Sequence, residues 1–211
     1  MKTFEELKEE LLHRAKEAGA CTAGYKMGLE ANNKADLLKA ITENWRWIFV
    51  SAKIINAEYL ETNFTEDELN EAGIYTRGVH ETRIKAFACG SATVEALDNA
   101  TVEACGSATV KAYDNATVKA YGSATVEALD NATVKACGSA TVEACGSATV
   151  EACGSATVKA YDNATVKACG NSYVEDYTGN IRPADGYAIV KDHFNKKIYI
   201  KKGKFEIIEI D

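Results

Sequence analysis

The sequence predicts a mainly β protein: a two-sheet parallel β-solenoid with a coil period of 16 along the chain. A small α-helical domain precedes it, and an antiparallel β meander closes it. Three observations carry this prediction. Eleven octads run without insertion from Ala88, as ACGSATVE, ALDNATVE, ACGSATVK, AYDNATVK and so on to ACGNSYVE, which ends at Glu175. Within each octad small and aliphatic residues alternate with polar ones. The Gly-Ser and Asp-Asn pairs and the charged residues fall into register only when two octads make a circuit.

The turn pairs are chain-reversal chemistry, because glycine and aspartate tolerate the conformations tight corners need. Between them, Ala92, Val94 and Ala96 lie on one side and Thr93, Glu95 and Leu97 on the other. Period two marks a strand with one buried face. A charged residue in every octad must face water, since a thin core cannot hold it. Alanine and valine therefore point inward.

With two octads per coil, one corner reads Gly90, Gly106, Gly122, Gly138, Gly154, Gly170, and the other reads Asp98, Asp114, Asp130, Gly146, Asp162. With three octads per coil every corner mixes the two types. One two-octad column stacks Glu95, Lys111, Glu127, Glu143, Lys159 and Glu175; the other stacks Glu103, Lys119, Lys135, Glu151 and Lys167, so seven of nine neighbouring pairs are opposite in sign. With three octads only three of eight are. In-register strands lie about 4.8 Å apart, close enough for like charges to repel. Two octads per coil therefore fit and three do not, which gives roughly five and a half coils over residues 88–175. Asn99, Asn115 and Asn131 would stack as a ladder of side-chain amides at one corner.

The flanks read differently. Residues 1–80 form the expected helical domain, with helices near 3–18, 34–50, 57–63 and 66–72 and Gly73 as a stop. Thr3 with Glu6, and Thr65 with Glu68, are capping-box pairs. Leu37, Leu38, Ile41, Trp45, Ile48 and Phe49 recur at helical spacing, as a core-facing stripe should. The solenoid spans 81–177 in this division. The segment 82–87 serves as its first strand, with Ile84, Ala86 and Ala88 inward. Residues 178–211 make the C-terminal cap, with alternating bursts at 187–191, 197–201 and 205–210 and a hairpin turn at Lys202-Gly203.

Composition narrows the function. Of 211 residues, 46% are hydrophobic and 26% charged, and the formal net charge is −7. Residues 88–175 carry 5 basic and 10 acidic groups. No stretch is basic enough to follow a phosphate backbone, which argues against direct nucleic-acid binding. The start has no signal-like apolar run, and Trp45–Ile55, the most apolar stretch, is too short to span a bilayer. Seven cysteines, an odd number, with six at repeat-fixed places, do not read as a secreted disulfide framework. A reducing interior, the cytoplasm, is the expected setting.

The ATVxAxGS and ATVxAxDN octads resemble uncharacterised octapeptide-repeat proteins of gut bacteria and their phages. The resemblance covers the repeat, under half of the chain, and implies no functional residues. The rhythm is remotely similar to hexapeptide-repeat acyltransferases and to bactofilins. The eight-residue unit departs from the former, and the Asp-Asn corners depart from the latter.

Candidate chemistry is sparse. His13, His80 and His193 are scattered, and no nucleophile elbow, phosphate loop or paired metal motif occurs, so no enzyme and no cofactor are expected. The row Cys89, Cys105, Cys137, Cys153, Cys169, interrupted by Tyr121, reads as edge packing, as does Cys145 on the other sheet; no metal is expected at either. The expected function is a rigid, non-catalytic scaffold that binds a macromolecule, with a protein as the partner and a second copy of the chain as the other partner admitted. Tyr113, Tyr121, Tyr161, Tyr173 and Tyr177 are the outward or edge aromatics suited to contact. One alternative is an acidic mimic of nucleic acid that inhibits a host defence protein. Another is ice binding through the threonine rows Thr93, Thr109, Thr125, Thr141, Thr157 and Thr101, Thr117, Thr133, Thr149, Thr165, although each threonine has a charged neighbour.

Overall fold

A computed structural model describes residues 2–200, and the expected turn at Lys202-Gly203 and strand at 205–210 lie outside the described residues. Helix α1 (Phe4–Glu17) opens with the Thr3–Glu6 capping box, and α5 (Glu66–Glu71) with the Thr65–Glu68 box. In each, two orphan amide donors of the first turn are satisfied reciprocally. Helix α4 (Ala57–Asn63) is also as expected. Helix α2 (Thr22–Glu30) was not expected: it contains Gly24 and Gly28 and buries no residue fully, so it lacks the apolar stripe that advertises a helix.

The single helix expected over 34–50 is divided. Helix α3 (Lys34–Glu43) ends at Asn44, and the chain resumes as a π-helical turn, Trp47–Ser51. There the Ala52 amide donates to the Trp47 carbonyl five residues back, and Lys53 follows in the left-handed region at φ +52°. The wider turn accommodates two large aromatics: Trp45 is 1% exposed and its ring lies 4.0 Å from Phe49 and 4.9 Å from Phe87.

Gly73, at φ +68°, ends the helices. The sheets then begin earlier than residue 81, with β1 (Ile74–Tyr75), β2 (Val79–Thr82) and β3 (Lys85–Ala88). Four-residue strands follow at eight-residue spacing from β4 (Thr93–Ala96) and β5 (Thr101–Ala104) to β13 (Thr165–Ala168) and β14 (Tyr173–Asp176). Odd-numbered strands build a seven-stranded sheet. Even-numbered ones, joined by β15 (Ile189–Asp192) and β16 (Lys197–Ile200), build a nine-stranded sheet. Strand partners through the repeat lie two octads apart, Thr149 with Thr165 and Val142 with Val158, for example. With β1 and β2 before the octads and β15 after them, there are about seven coils where the octads alone implied five and a half. Val94 to Val158 and their flanking alanines are 0–1% exposed and make up the interior. That burial is the main apolar contribution to stability, since each fully buried valine contributes roughly 1.5–3 kcal/mol.

The corners explain the two residue types. Every corner within the octads begins with a left-handed residue: Gly90 to Gly170 at φ +63° to +71°, and Asp98, Asp114, Asp130 and Asp162 at +53° to +57°. Aspartate tolerates this conformation better than most side chains. Its carboxylate also has a use. Asp98 N–H donates to Asp114 Oδ2 (3.2 Å), Asp114 N–H to Asp130 Oδ2 (3.3 Å), and Gly146 N–H to Asp162 Oδ2 (2.9 Å). The corner is stitched by these carboxylates. Among the described residues no hydrogen bond joins the side chains of Asn99, Asn115 and Asn131, so the expected amide ladder is absent there.

The first coil departs from expectation. β2 pairs with β4 at an offset of 14, while β3 pairs with β5 at 16. The connecting corner is two residues shorter, and Ile84 is 74% exposed instead of inward. Arg83 occupies the shortened corner and places Nε 3.1 Å from Asp98 Oδ2, ending the aspartate row with a positive charge.

At the other end, the segments at 187–191 and 197–201 pair antiparallel as expected, as β15 and β16. β15 also continues the parallel stack, with Val174 opposite Val190, and among the described residues only β16 runs antiparallel to it. The inward places of Ala160 continue as Asp176 and Asp192, 0% and 1% exposed. Asp176 accepts from the amides of Thr178, Gly179 and Ile181 and from Thr178 Oγ1. Asp192 accepts from Asn195 N–H and Nδ2, with Arg182 Nη1 3.7 Å away. Burial pushes the Asp192 carboxyl up, but the Asn195 hydrogen bonds and Arg182 outweigh it and hold the group below its ordinary value. A depressed carboxyl stabilises the fold above its unfolded value and loses that contribution as pH falls through the folded one. Protection of the Ile189–Ile200 amides against hydrogen exchange is therefore expected to fall in acid before that of β5 to β13. Asp192→Asn is expected to remove most of the pH dependence.

Candidate interaction surface

The outer faces of the two sheets differ in what covers them. On the seven-stranded sheet, the outward places of the first coils are Phe87, Glu103 and Lys119 in one column and Cys89, Cys105 and Tyr121 in the next. The helical domain lies on them. Phe87, Cys89, Cys105 and Tyr121 share one apolar cluster with Trp45, Ile48, Leu60 and Phe64, and Cys137 borders it. Even Glu103 is only 9% exposed, with its carboxylate 3.1 Å from Lys119 Nζ. The helices thus cover the flank of the rod as well as meeting its beginning.

Among the described residues, no helix lies on the outer face of the nine-stranded sheet. Its three outward columns follow from the register. Thr93, Thr109, Thr125, Thr141 and Thr157 lead to Tyr173 and Ile189. Glu95, Lys111, Glu127, Glu143, Lys159, Glu175 and Lys191 stand beside them. The third column, at the edge, runs Leu97, Tyr113, Leu129, Cys145, Tyr161, Tyr177 and His193, linked by ladder bonds such as Tyr113 N–H to Ala96 O and His193 N–H to Asp176 O. Its last three rings stack: Tyr161 on Tyr177 at 4.8 Å and 10°, and Tyr177 on His193 at 4.3 Å and 5°. Tyr187, Phe194 and Ile198, exposed by 67–74%, extend the apolar character at this end.

Of the five tyrosines expected to make contacts, the structure brings Tyr161 and Tyr177 together and leaves Tyr113 half-buried on the same column. Tyr173 is half-buried in the threonine column. Tyr121 is corrected: it is 5% exposed beneath the helices, with the Arg46 guanidinium 5.7 Å from its ring centroid, and offers nothing to a partner. Parity places its side chain outward but does not say what covers it. His193 was not among the expected residues, although counting one circuit on from Tyr177 reaches it. Thr101, Thr117, Thr133, Thr149 and Thr165 form the matching row of the helix-bearing sheet.

No family model, curated protein or solved structure matches the chain.

Other features bear on chemistry. Among the described residues, no cluster of three or more His, Cys, Asp or Glu side chains could hold a metal ion, and no helix is long and apolar enough to cross a membrane. His13 pairs with Glu17 at 3.5 Å, and His80 Nε2 meets the Arg77 carbonyl at 2.7 Å while its ring stacks on Tyr75. The three histidines remain apart. A cavity of about 260 Å³ opens among α1, α2, α3 and the π-helical turn, lined mainly by apolar groups such as Leu12, Ile41 and Trp47.

Proposed function

We propose that the chain is a non-catalytic scaffold, a rigid solenoid that presents the outer face of its nine-stranded sheet to a partner protein. The observation that carries the reading is the continuous face, free of helices among the described residues, that ends in the Tyr161–Tyr177–His193 stack. Aromatic rings held by their neighbours lose little freedom on association, which suits them as contact anchors. The charged column beside them mixes both signs, and Lys111 Nζ lies 3.9 Å from Glu127 Oε2 within it. The mixture of signs favours a partner met by aromatic contact over one that recognises a run of negative charge. The resemblance of the octads to phage-associated repeat proteins supports a setting inside a bacterial host.

The test is quantitative affinity capture with the whole chain and two variants. Tyr161→Ser with Tyr177→Ser is expected to reduce recovery of a specific partner at least tenfold. The control Thr149→Ser with Thr165→Ser, on the other sheet, should leave it unchanged. Equal recovery by both variants would remove the face from consideration.

A further inference from the structure

The seven cysteines are free thiols, and the fold sorts them by accessibility. Cys89 and Cys105 are buried under the helices. Cys21 and Cys145 stand without a cysteine neighbour, at the start of α2 and between Leu129 and Tyr161 of the other sheet's edge column. Cys137, Cys153 and Cys169 are half-exposed and occupy the same place in three consecutive coils. The ladder runs through them unbroken: Cys137 N–H donates to Ala120 O, Cys153 N–H to Ala136 O, and Cys169 N–H to Ala152 O, at 2.8–2.9 Å. Five of the six repeat positions in this column are cysteine. The leucine and tyrosine variation that suits generic packing belongs mainly to the column of the opposite sheet.

The ladder fixes what three such thiols can do. Equivalent atoms on neighbouring parallel strands are about 4.8 Å apart, and alternate ones about twice that. A disulfide needs Cβ atoms about 3.5–4.5 Å apart, closer than the regular ladder holds them, and four thiolates cannot converge on a tetrahedral zinc from a straight row. Two metal–sulfur bonds of roughly 2.3 Å laid end to end span ~4.6 Å, close to one strand spacing. We infer that Cys153, with Cys137 or Cys169, forms a linear two-coordinate site for a soft monovalent ion of the Cu(I) or Ag(I) class, which thiolates prefer.

Binding replaces two S–H bonds by two S–metal bonds and releases two protons, with no change of oxidation state. Both thiols must lose their protons to bind, so affinity should rise with pH. The bis-thiolate carries one net negative charge. Lys135, on the same outward face two residues before Cys137, is ion-paired with Glu151 at 3.0 Å, and Glu151 also lies beside Cys153, so a positive and a negative group both adjoin the thiols.

The test uses the reduced full-length chain under anaerobic conditions, with Cu(I) delivered from a competing Cu(I) chelator. Wild type is expected to retain one ion per chain, with two sulfur ligands by X-ray absorption. Cys21→Ser, Cys145→Ser, Cys137→Ser and Cys169→Ser should each retain it, since one pair survives in every case. Cys153→Ser and the double variant Cys137→Ser/Cys169→Ser should bind at least tenfold more weakly. Circular dichroism identifies any variant that fails to fold. Wild type gives a variant-free measurement: Ag(I) should protect Cys153 from alkylation while Cys21 remains reactive. Undiminished binding by Cys153→Ser, loss of binding in Cys21→Ser, equal retention of Zn(II), or unprotected Cys153 would each overturn the assignment.

Discussion

Val134→Asp is expected to lower the melting temperature by about 10 °C or more, whereas Thr133→Asp, one residue earlier, is expected to be nearly silent. Val134 is 1% exposed and sits between Val118 and Val150 in the interior column. A carboxylate there meets alanine and valine methyls on every side, with no donor within reach. Burying such a group unpaired costs several kcal/mol, against a total stability of about 5–15 kcal/mol for a typical protein. In a chain of this size, a loss of ~4 kcal/mol lowers the melting temperature by about 10 °C or more. Thr133 is exposed on the outer face, on the same strand as Lys135. Its replacement should change stability by less than about 0.5 kcal/mol. Melting curves followed by circular dichroism separate the two outcomes, and similar curves for both variants would contradict the inward assignment of the valines.

The second large effect is expected from Gly90→Ala. A Cβ on Gly90 would lie 2.5 Å from the Thr76 carbonyl oxygen and 2.8 Å from Ala57 Cβ, with the backbone at φ +63°. Thr76 O also accepts from Ser91 N–H at 3.0 Å. At this one point α4, the β1–β2 connection and the first corner of the repeat meet. The left-handed backbone costs about 1–2 kcal/mol for alanine, and forced overpacking adds about 1–3 kcal/mol. Gly106→Ala is the control: its φ is +65°, but its nearest neighbour would be 3.5 Å away, so only the backbone contribution is expected. Both tryptophans, Trp45 and Trp47, lie in the helical domain. Their fluorescence in urea should show earlier release of the helices in Gly90→Ala than in Gly106→Ala. Coincident transitions would mean that the helices are not held at this junction.

What the sequence reveals depends on which interactions it encodes locally. The two-octad circuit is legible because corners and charges are both read against the next coil, as the pairing of Glu151 with Lys135 and Lys167 in space bears out. Capping boxes are legible because donor and acceptor are three residues apart. Helix α2 is not, since TAGYKMGLE buries no stripe. Nor is the docking of the helices on the seven-stranded sheet: Phe87, Cys105 and Tyr121 have outward parity, and their burial depends on contacts with helices far away in the chain. The stacked rings at Tyr161 and Tyr177 follow from counting coils. His193 belongs to the same count and was lost because the octads stop before it, although the hydrogen-bonded ladder does not.

The near-identity of consecutive coils has a consequence for how this molecule can vary. Copying or deleting a pair of octads in the coding sequence would lengthen or shorten the rod by about 4.8 Å while leaving the helical domain and the C-terminal strands chemically untouched. Copying a single octad would instead carry the C-terminal strands, with the rings of Tyr177 and His193, round to the flank on which the helices lie. Viable length variants are therefore expected to differ by whole circuits, so that the gap between the two ends is a gauge set in discrete steps.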